Sequence, residues 1–541
     1  MGTPPRRVRR RSTYCIVATA ALAATLAMTA CTGGGSTDTS NSAASTAGAA
    51  SGGGSSTLTI DAVSPPVSLN PYLQNVDPVN NWFVNLAYDS LIRIGADGKL
   101  APDLATSWKF IDASNTKFQL TLRSGVKFSD GTPMTAQTVA ASMNYALANG
   151  TNGKVYWGPI TSITAPAADT VLFTSSAPNP GLPNMITNRV LLGSVVSAAG
   201  IAKPESLKSS TAGAGPYMLN SKETVANDTY VYDPNPQYWD KSKIAFSQVK
   251  IKIVANTAAA LQDVESGNAQ LFRGDADTYA AAKSAGLHIE TVAIGLLGVN
   301  YVDRTGAIAP QLKDVRVRQA LNYAMDSDAI AKATFGDLAV GGGELALPGT
   351  VGYDKSIDDA YAYNPTKAKQ LLTDAGYGKG FTIPVEVVTT SPTADIMMQA
   401  VLADWAKVGV TGKLTTYSNT SQAVTDILAK RFPITYFGYG SLTPFTIQSS
   451  FYSGQVNQYN PWGTTDAQLT ADLAKAASSS GSTQTDAITA AFKRGYVDLA
   501  WTGGVIHSSY PYISDGKKIT GTNHTTNSGT IDVAWGVRPV K

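Results

Sequence analysis

The hydrophobic positions follow two alternating periods from Leu58 to the C-terminus. In some segments every second residue is apolar, which is typical of half-buried strands; in others apolar residues recur every three or four positions, as in amphipathic helices. The period of two predicts strands at Lys117–Leu122, Gln248–Val254, Thr382–Val388 and Gly504–Ser508. Because the two patterns are interleaved along the whole chain, the sequence predicts an α/β fold.

Four helices have recognisable boundaries. Asn364 can cap a helix that carries Pro365 in its first turn, places Ala368 and Leu372 on its apolar face and ends at Gly376. The same signals predict three further helices: one opened by Asp314 and running through residue 325, one from Asp395 to Gly409, and one from Thr135 to Leu147.

The first 57 residues depart from this pattern. Five arginines among the first 11 residues, an apolar stretch from Cys15 to Met28 and the end Met28-Thr-Ala-Cys31 predict a lipoprotein signal peptide over 1–31, with Cys31 lipidated. The apolar stretch is shorter than the roughly 20 residues that span a bilayer. An ordinary signal peptide with an incidental cysteine is the alternative, and the choice between the general and the twin-arginine export route stays open. Residues 32–57 are rich in Gly, Ser and Thr and predict a flexible tether.

Charge and cysteine content restrict the function of the remaining body. Without the five N-terminal arginines, 37 Lys and Arg stand against 39 Asp and Glu, so no net charge attracts nucleic acid or an anionic membrane. The two cysteines of the chain, Cys15 and Cys31, both lie in the signal segment. The body therefore has no disulfide, no thiolate nucleophile and no Cys-based metal site.

The sequence contains no recognisable catalytic motif of the common hydrolase, zinc-protease or phosphate-loop types. Among its three histidines, His507 in the strand-like GGVIHSSYPY is the candidate for a cleft, with a structural role as the alternative. The carboxylate pairs Asp275/Asp277 and Asp326/Asp328 occur at helix starts, where capping explains them. We therefore expect no enzyme activity, no cofactor and no metal; a secreted hydrolase and a structural surface protein remain the alternatives from other classes.

Residues 432–465 form an uncharged aromatic run, which has no Asp, Glu, Lys, Arg or His and contains nine aromatic residues. Rings with flat faces beside neutral amides suit a neutral polar solute such as a sugar ring or peptide groups. The amides in question are Gln448, Gln455, Asn457, Gln458 and Asn460. Packing in the core is the alternative for each aromatic residue.

Six segments, in this order, resemble the motifs of the peptide/nickel-type extracellular solute-binding proteins (family 5) of ABC importers. The resemblance extends over about residues 58–512. The six segments are Leu100–Trp108, Phe118–Pro133, Gly213–Tyr217, Asn235–Trp239, Asp314–Asp326 and Tyr363–Tyr377.

The resemblance implies a two-lobed periplasmic-binding-protein-like fold of the large cluster C type, which encloses a ligand between the lobes. We expect lobe one over 58–296, with an extra subdomain near 100–205, lobe two over 297–503, and a return to lobe one over 504–541. Two hinge crossings are expected near Gly298–Tyr301 and Gly504–Tyr510. Arg316 and Arg318 are expected to form salt bridges, with ligand contact as the alternative.

The resemblance also implies a function. A monomeric, lipid-anchored protein on the outer face of the cell membrane would capture a small solute and deliver it to the permease and ATPase subunits of an ABC importer. Oligopeptides are the leading ligand class, because they dominate the family, and a neutral oligosaccharide is the alternative.

Peptide-binding members of the family carry a Trp-x-x-Asp-x-x-x-Pro stretch whose aspartate pairs with the ligand's α-ammonium. Here Phe437, Gly440 and Pro444 fall at those positions, so the carboxylate is missing. Either another acid (Asp303, Glu344 or Asp77) replaces it, or the amine is blocked or solvated, or the ligand has no free amine. The predicted ligand-binding residues are Trp82, Asn300, Tyr301, Phe437, Tyr439, Gly440, Ser441, Trp462, His507 and Tyr510.

Overall fold

A computed structural model describes residues 56–74, 79–95, 97–150, 157–388, 392–440, 443–522 and 530–540. The predicted signal peptide with Cys31, and the tether up to residue 55, lie outside these ranges. Within them, no helix is long and apolar enough to cross a membrane.

The strands are short except for two. In chain order they are β1 (Thr57–Ala62), β2 (Ile92–Ile94), β3 (Leu100–Pro102), β4 (Ala105–Phe110), β5 (Lys117–Leu122), β6 (Ile160–Ala167), β7 (Thr170–Ser175), β8 (Tyr217–Leu219), β9 (Thr229–Pro234), β10 (Gln248–Ile253), β11 (Leu271–Arg273), β12 (His288–Tyr301), β13 (Ala339–Gly341), β14 (Phe381–Val388), β15 (Val410–Tyr417), β16 (Ile434–Gly440), β17 (Thr502–Ser514), β18 (Ile519–Thr520) and β19 (Arg538–Pro539).

The α-helices are α1 (Asn80–Asn85), α2 (Ala136–Asn149), α3 (Leu182–Met185), α4 (Ala198–Ala202), α5 (Thr257–Ser266), α6 (Ala276–Ala285), α7 (Val315–Ala324), α8 (Ser327–Phe335), α9 (Lys355–Asp358), α10 (Pro365–Asp374), α11 (Pro392–Ala406), α12 (Thr420–Leu428), α13 (Pro444–Tyr452), α14 (Ala467–Ser478) and α15 (Gly481–Lys493). A π-helical turn over Arg494–Asp498 continues α15. Short 3₁₀ turns cover Pro71–Leu73, Pro204–Lys208, Lys241–Lys243, Pro310–Lys313 and Gly336–Leu338.

One mixed sheet of 11 strands contains both long strands at its middle. Its order is β15-β14-β16-β12-β17-β11-β1-β10-β9-β8, with β13 paired to β17. The long strands β12 and β17 run antiparallel, from His288 opposite Ser514 to Asn300 opposite Thr502. On one side of this pair β14, β15 and β16 are mutually parallel where they pair. A second antiparallel sheet, β4-β5-β7-β6, packs against α2.

The hydrophobic core divides on either side of the two long strands. The largest cluster is formed by residues 58–292 together with 512–537. Of the four smaller clusters, one is drawn from residues between 299 and 506 and another from residues between 296 and 505. Burial of apolar side chains therefore ties the last segment of the chain to the N-terminal half.

The capping residues in the sequence predicted most of the helix starts correctly. The side chain of Asn364 accepts from the backbone N–H of Lys367, and Asp314 and Thr135 cap their helices as expected. The strand over Lys117–Leu122 has the predicted bounds. Two expectations need correction. The helix expected over Asp395–Gly409 is Pro392–Ala406, and the strand expected over Gly504–Ser508 is the much longer Thr502–Ser514. The strand contains the adjacent glycines Gly503 and Gly504, the second at φ 55°, and these interrupt the apolar alternation in the sequence.

Candidate functional site

A cavity of about 140 Å³ lies between two groups of residues that are far apart in the sequence. One side belongs to the predicted lobe one and the other to the predicted lobe two. The first side is lined by Ile94, Pro180, Asn184, Met185, Arg189 and Val190, and the second by Thr350, Val351, Thr443, Pro444, Phe445, Gln484 and Ile488.

The second side is positioned by the start of α13. Thr443 has an extended backbone, and its hydroxyl accepts from the backbone N–H of Thr446, which caps the helix and leaves Pro444 in the first turn. The first side approaches closely: a Cβ built at Gly181 would stand 3.6 Å from Thr443 Oγ1 and 3.7 Å from the Phe445 ring. The two sides therefore touch directly beside the cavity.

Four aromatic residues of the uncharged run form a compact cluster that includes Phe451 of this helix. The rings of Phe451 and Tyr459 stack with centroids 4.3 Å apart. Phe437 meets Phe451 at 4.9 Å, and Tyr439 meets both Phe451 and Tyr459 at 5.5 Å. Edge-to-face and offset contacts of this kind stabilise a cluster beyond the burial of area alone. Much of the run is therefore packed ring against ring.

Three of the five neutral amides of the run bind the protein backbone. Asn460 donates to the carbonyls of Ser453 and Thr464. Asn457 Oδ1 accepts from the N–H groups of Tyr459 and Asn460, and Gln448 donates to the carbonyl of Ile488 at 2.7 Å. Asn457 and Asn460 therefore hold the loop over 453–464, and Gln448 joins α13 to α15.

Arg304 lies buried behind the aromatic cluster and was not identified from the sequence. Its guanidinium donates to the carbonyls of Tyr301, Phe451 and Tyr459 and to Asn300 Oδ1, at 3.1–3.2 Å. It also stacks on the Trp501 ring at 4.0 Å. Burial lowers the pKa of Arg304 to about 9. This value is still above 7, so the guanidinium is charged at neutral pH. Because Arg304 lies far from residues 432–465 in the sequence, no local pattern links it to the aromatic run.

Several predicted ligand-binding residues are buried and bonded to protein. Asn300 is fully buried and donates to the carbonyl of Tyr459. The hydroxyl of Tyr301 donates to Asn322 Oδ1 at 2.7 Å. The indole N–H of Trp82 donates to the carbonyl of Ile531 at 3.2 Å. Phe437 is 2% exposed, within the aromatic cluster.

The remaining predicted residues differ in exposure. Tyr439 is half-buried, and its hydroxyl lies 3.1 Å from that of Ser450. Gly440 is exposed, and a Cβ built there meets no atom within 4 Å. Trp462 is half-buried with the Lys430 ammonium 5.9 Å from its ring, while Tyr510 is exposed under the Arg273 guanidinium at 4.6 Å. Ser441 lies outside the described residues.

His507 is buried on the long strand β17. Its Nε2 lies 3.0 Å from the carbonyl oxygen of Glu344 and 3.9 Å from Asp358 Oδ1. These contacts fix the imidazole against the loop that leads from β13 towards Thr350.

The predicted ligand-binding residues and the described lining of the cavity do not overlap. None of the predicted ligand-binding residues is among the described residues that line the cavity. Among the predicted residues that the structure describes, Gly440 is the closest along the chain to the lining, three positions before Thr443. No sequence pattern indicates the cavity, because its walls include the distant segments around 180–190 and 484–488, which only the fold brings together.

Two of the three acids considered as replacements for the missing carboxylate are described. Asp303 is fully buried, and its two oxygens accept from the backbone N–H groups of Ala307, Ile308 and Ala309 at 2.8 Å. Glu344 is also fully buried and accepts from the N–H of Asp354; burial raises its pKa to about 8. Asp77 lies outside the described residues. Neither described acid reaches the lining of the cavity.

Comparisons with known proteins agree on one family. A family model described as bacterial extracellular solute-binding proteins, family 5 Middle, matches residues 99–459. The dipeptide-binding protein of Escherichia coli (strain K12) is 27% identical over 391 residues, 67% of this chain and 72% of that protein. Heme-binding protein A of Haemophilus influenzae is 34% identical over 225 residues, which cover 40% of this chain and 39% of that protein.

The fold is likewise that of known structures. HbpA2 from Haemophilus parasuis has a TM-score of 0.79 with this chain at 22% identity, covering 90% of this chain and 100% of that one. This likeness shows the expected two-lobed, mixed α/β fold of periplasmic solute-binding proteins. Because the family model spans more than half of the sequence, the chain belongs to the bacterial extracellular solute-binding proteins of family 5.

Proposed function

We propose that this protein captures oligopeptides, or a similar polar solute, by closing its two lobes and delivers the solute to the permease and ATPase subunits of an ABC importer. The observation that carries the proposal is the cavity between segments 94–190 and 350–488, beside which Gly181 and Phe445 meet. A solute bound there contacts both sides at once. The solute therefore stabilises the closed arrangement of the lobes through the contacts that form only when the lobes are closed.

The dipeptide-binding relative supports the peptide class, and the missing anchor restricts which peptides fit. Gly440 replaces the aspartate that pairs with a peptide's α-ammonium, and no Asp or Glu is among the described lining residues. Desolvating an ammonium without a partner costs several kcal/mol. A peptide whose amine stays in solvent or is blocked fits this site, and a neutral oligosaccharide is the alternative that the same observation favours.

The proposal places the protein outside the cytoplasm, as is usual for its family. Lipidation of Cys31 would hold it at the outer face of the membrane, with 32–57 as the tether, and the protein acts as a monomer. The bounds of the lobes, 58–296 with 504–541 and 297–503, belong to the same proposal, as does the extra subdomain near 100–205. It binds no nucleic acid.

The protein acts by binding rather than by catalysis. The described lining of the cavity carries no His, Asp or Glu, so it offers neither a general base nor a carboxylate pair. A secreted hydrolase would need such groups in the cleft. Loss of a measured hydrolytic activity on mutating a cleft carboxylate would overturn this part of the proposal.

Native mass spectrometry of the protein purified from its host tests the proposed function. We expect a co-purified mass that fragments as a peptide, whose amine is blocked or stays in solvent in the complex. A hexose ladder would support the oligosaccharide alternative instead. A bound peptide that binds more weakly when its free amine is acetylated would contradict the absence of an amine anchor.

A further inference from the structure

The cavity between the two sides is walled mainly by apolar side chains. Four come from the segment 94–190 and four from the segment 351–488. They are Ile94, Pro180, Met185 and Val190 on the first side, and Val351, Pro444, Phe445 and Ile488 on the second. Met185, Val190 and Ile488 are at most 5% exposed, so the floor of the cavity belongs to the packed cores of both sides.

The polar residues of the wall are mostly engaged with the protein. The hydroxyl of Thr350 donates to the carbonyl of Leu347 at 2.7 Å, and that of Thr443 caps α13. Gln484 donates to the carbonyls of Ala476 and Ser479. Because these groups already have partners, an apolar group can enter without leaving them unsatisfied.

The volume sets the size of what can enter. Pockets that enclose a whole small ligand have volumes of roughly 300–1,000 Å³. An apolar cavity of roughly 150 Å³ engineered in another protein holds a benzene molecule. The cavity here, at about 140 Å³, is therefore too small for a whole solute and large enough for one ring or one branched aliphatic group.

The charges of the wall exclude a basic group. Arg189 is the single charged residue among the described residues that line the cavity. A lysine side chain entering there would lose its hydration without gaining a carboxylate, which is unfavourable. An uncharged apolar group has no such cost.

We infer that this cavity is a subsite for one apolar side chain of the bound solute, of the size of a phenyl ring or an isobutyl group. The inference rests on the proposed function and narrows its ligand class. Since both sides contribute wall residues, filling the cavity adds contacts that exist only when the two sides are together. The apolar side chain of the solute therefore contributes to closure as well as to specificity.

Capped single residues test the subsite without depending on which solute is natural. The probes are the N-acetyl methylamides of phenylalanine, alanine and lysine, measured by ligand-observed saturation-transfer NMR with the full mature protein. We expect the phenylalanine probe to bind at least roughly tenfold more tightly than the other two, from the apolar area that its ring buries. Equal signals from the three probes, or none from the phenylalanine probe, would overturn the inference.

A pair of variants locates the binding. Val351 is 50% exposed and lines the cavity, so Val351→Asp puts a charge at its wall with little cost to folding. Val225 is 58% exposed in a hairpin remote from the cavity, so Val225→Asp is the matched control. We expect Val351→Asp to weaken the phenylalanine probe at least roughly tenfold and Val225→Asp to leave it unchanged. Circular dichroism verifies that both variants fold, and equal binding by both would place the probe elsewhere.

Tripeptides separate this inference from the proposed function. If Ala-Phe-Ala, Ala-Ala-Ala and Ala-Lys-Ala bind equally well, the protein binds peptides and the apolar subsite is wrong. If neither these tripeptides nor their N-acetylated forms bind although the phenylalanine probe does, the subsite stands and the peptide class is wrong. We expect Ala-Phe-Ala to bind roughly tenfold more tightly than Ala-Ala-Ala.

Discussion

The side chain of Asn115 donates Nδ2–H to the carbonyl oxygen of Ala477 at 3.0 Å, which joins the β4–β5 hairpin to the last turn of α14. Asn115 has a positive φ of 54°, a conformation that asparagine tolerates better than most residues. Asp112 holds the turn by accepting from the backbone N–H groups of Thr116 and Lys117. Asn115 therefore lies in a turn that Asp112 stabilises. It donates to one of the carbonyls that the end of a helix leaves without a hydrogen bond.

Replacing Asn115 by glycine should weaken the contact between the β4–β5 hairpin and α14, which lie in the two proposed lobes. Glycine adopts the positive φ without strain, so Asn115→Gly removes the hydrogen bond and little else. One hydrogen bond is worth about 1 kcal/mol, so we expect solute affinity to fall roughly fivefold in isothermal titration calorimetry. Asn227→Gly is the control, because Asn227 also has a positive φ (64°) but lies in a hairpin away from α14. Unchanged affinity in Asn115→Gly would show that this contact does not contribute to closure.

Arg304 should be important for stability rather than for direct solute contact. Arg304→Met removes a buried donor to the carbonyls of Tyr301 and Phe451 and to Asn300 Oδ1, whereas the carbonyl of Tyr459 keeps the side chain of Asn300 as a donor. We expect the free energy of unfolding to fall by at least about 3 kcal/mol in urea titrations, with a weaker near-ultraviolet dichroism from the aromatic cluster.

Arg316→Met is the matched control for Arg304. The Arg316 side chain is 46% exposed and pairs with Asp314 at the surface, so its loss should cost less than about 1 kcal/mol. If both variants lost a similar free energy of unfolding, the buried hydrogen bonds of Arg304 would contribute no more to stability than a surface ion pair.

The local elements of this fold could be predicted because their causes are local. Asn364 and Asp314 cap their helices through backbone N–H groups two or three residues away, so the pattern is contained within one short segment. The order of motifs then identified the family and the two-lobed fold, although no single stretch specifies how the long strands pair.

Contacts between distant segments could not be predicted from the sequence. Arg318 was expected to form a salt bridge, and this was wrong: it is 4% exposed and donates to the carbonyls of Leu312, Leu499 and Ala500. Two of these partners, Leu499 and Ala500, lie 181 and 182 positions further along the chain, and a carbonyl has no sequence signature. For the same reason the cavity wall was missed, since Met185 and Ile488 meet only in the folded chain.

Glu386 should make the protein less stable as the pH rises. It is fully buried on β14, its carboxyl oxygens have no hydrogen-bond partner in the described part of the chain, and burial raises its pKa from 4.5 to about 8. Between these values the unfolded chain loses the proton first, so the free energy of unfolding should fall between about pH 5 and pH 8. The slope for one such group is at most about 1.4 kcal/mol per pH unit.

Glu386→Gln should flatten this dependence, because glutamine keeps the shape and cannot ionise. Glu344, whose pKa burial also raises to about 8, adds a parallel slope, so the single variant removes part of the dependence and the double variant with Glu344→Gln removes more. Urea unfolding at pH 5 and pH 8 measures both. The surface variant Glu265→Gln serves as the control, and a wild-type stability that is constant over this range would contradict the assignment.

Restoring a carboxylate at Gly440 should change which solutes the protein binds. Gly440 is exposed at the end of β16, and a Cβ there has open space, so Gly440→Asp introduces the acid without a steric cost. If the missing carboxylate governs specificity, the variant should bind Ala-Phe-Ala with its free amine roughly tenfold more tightly than wild type, and N-acetyl-Ala-Phe-Ala no more tightly. Gly440→Asn adds the same volume without the charge and should show neither effect. Calorimetric titration of the two peptides against the three proteins measures these differences, and an unchanged preference in Gly440→Asp would mean that the amine of a bound peptide is directed away from β16.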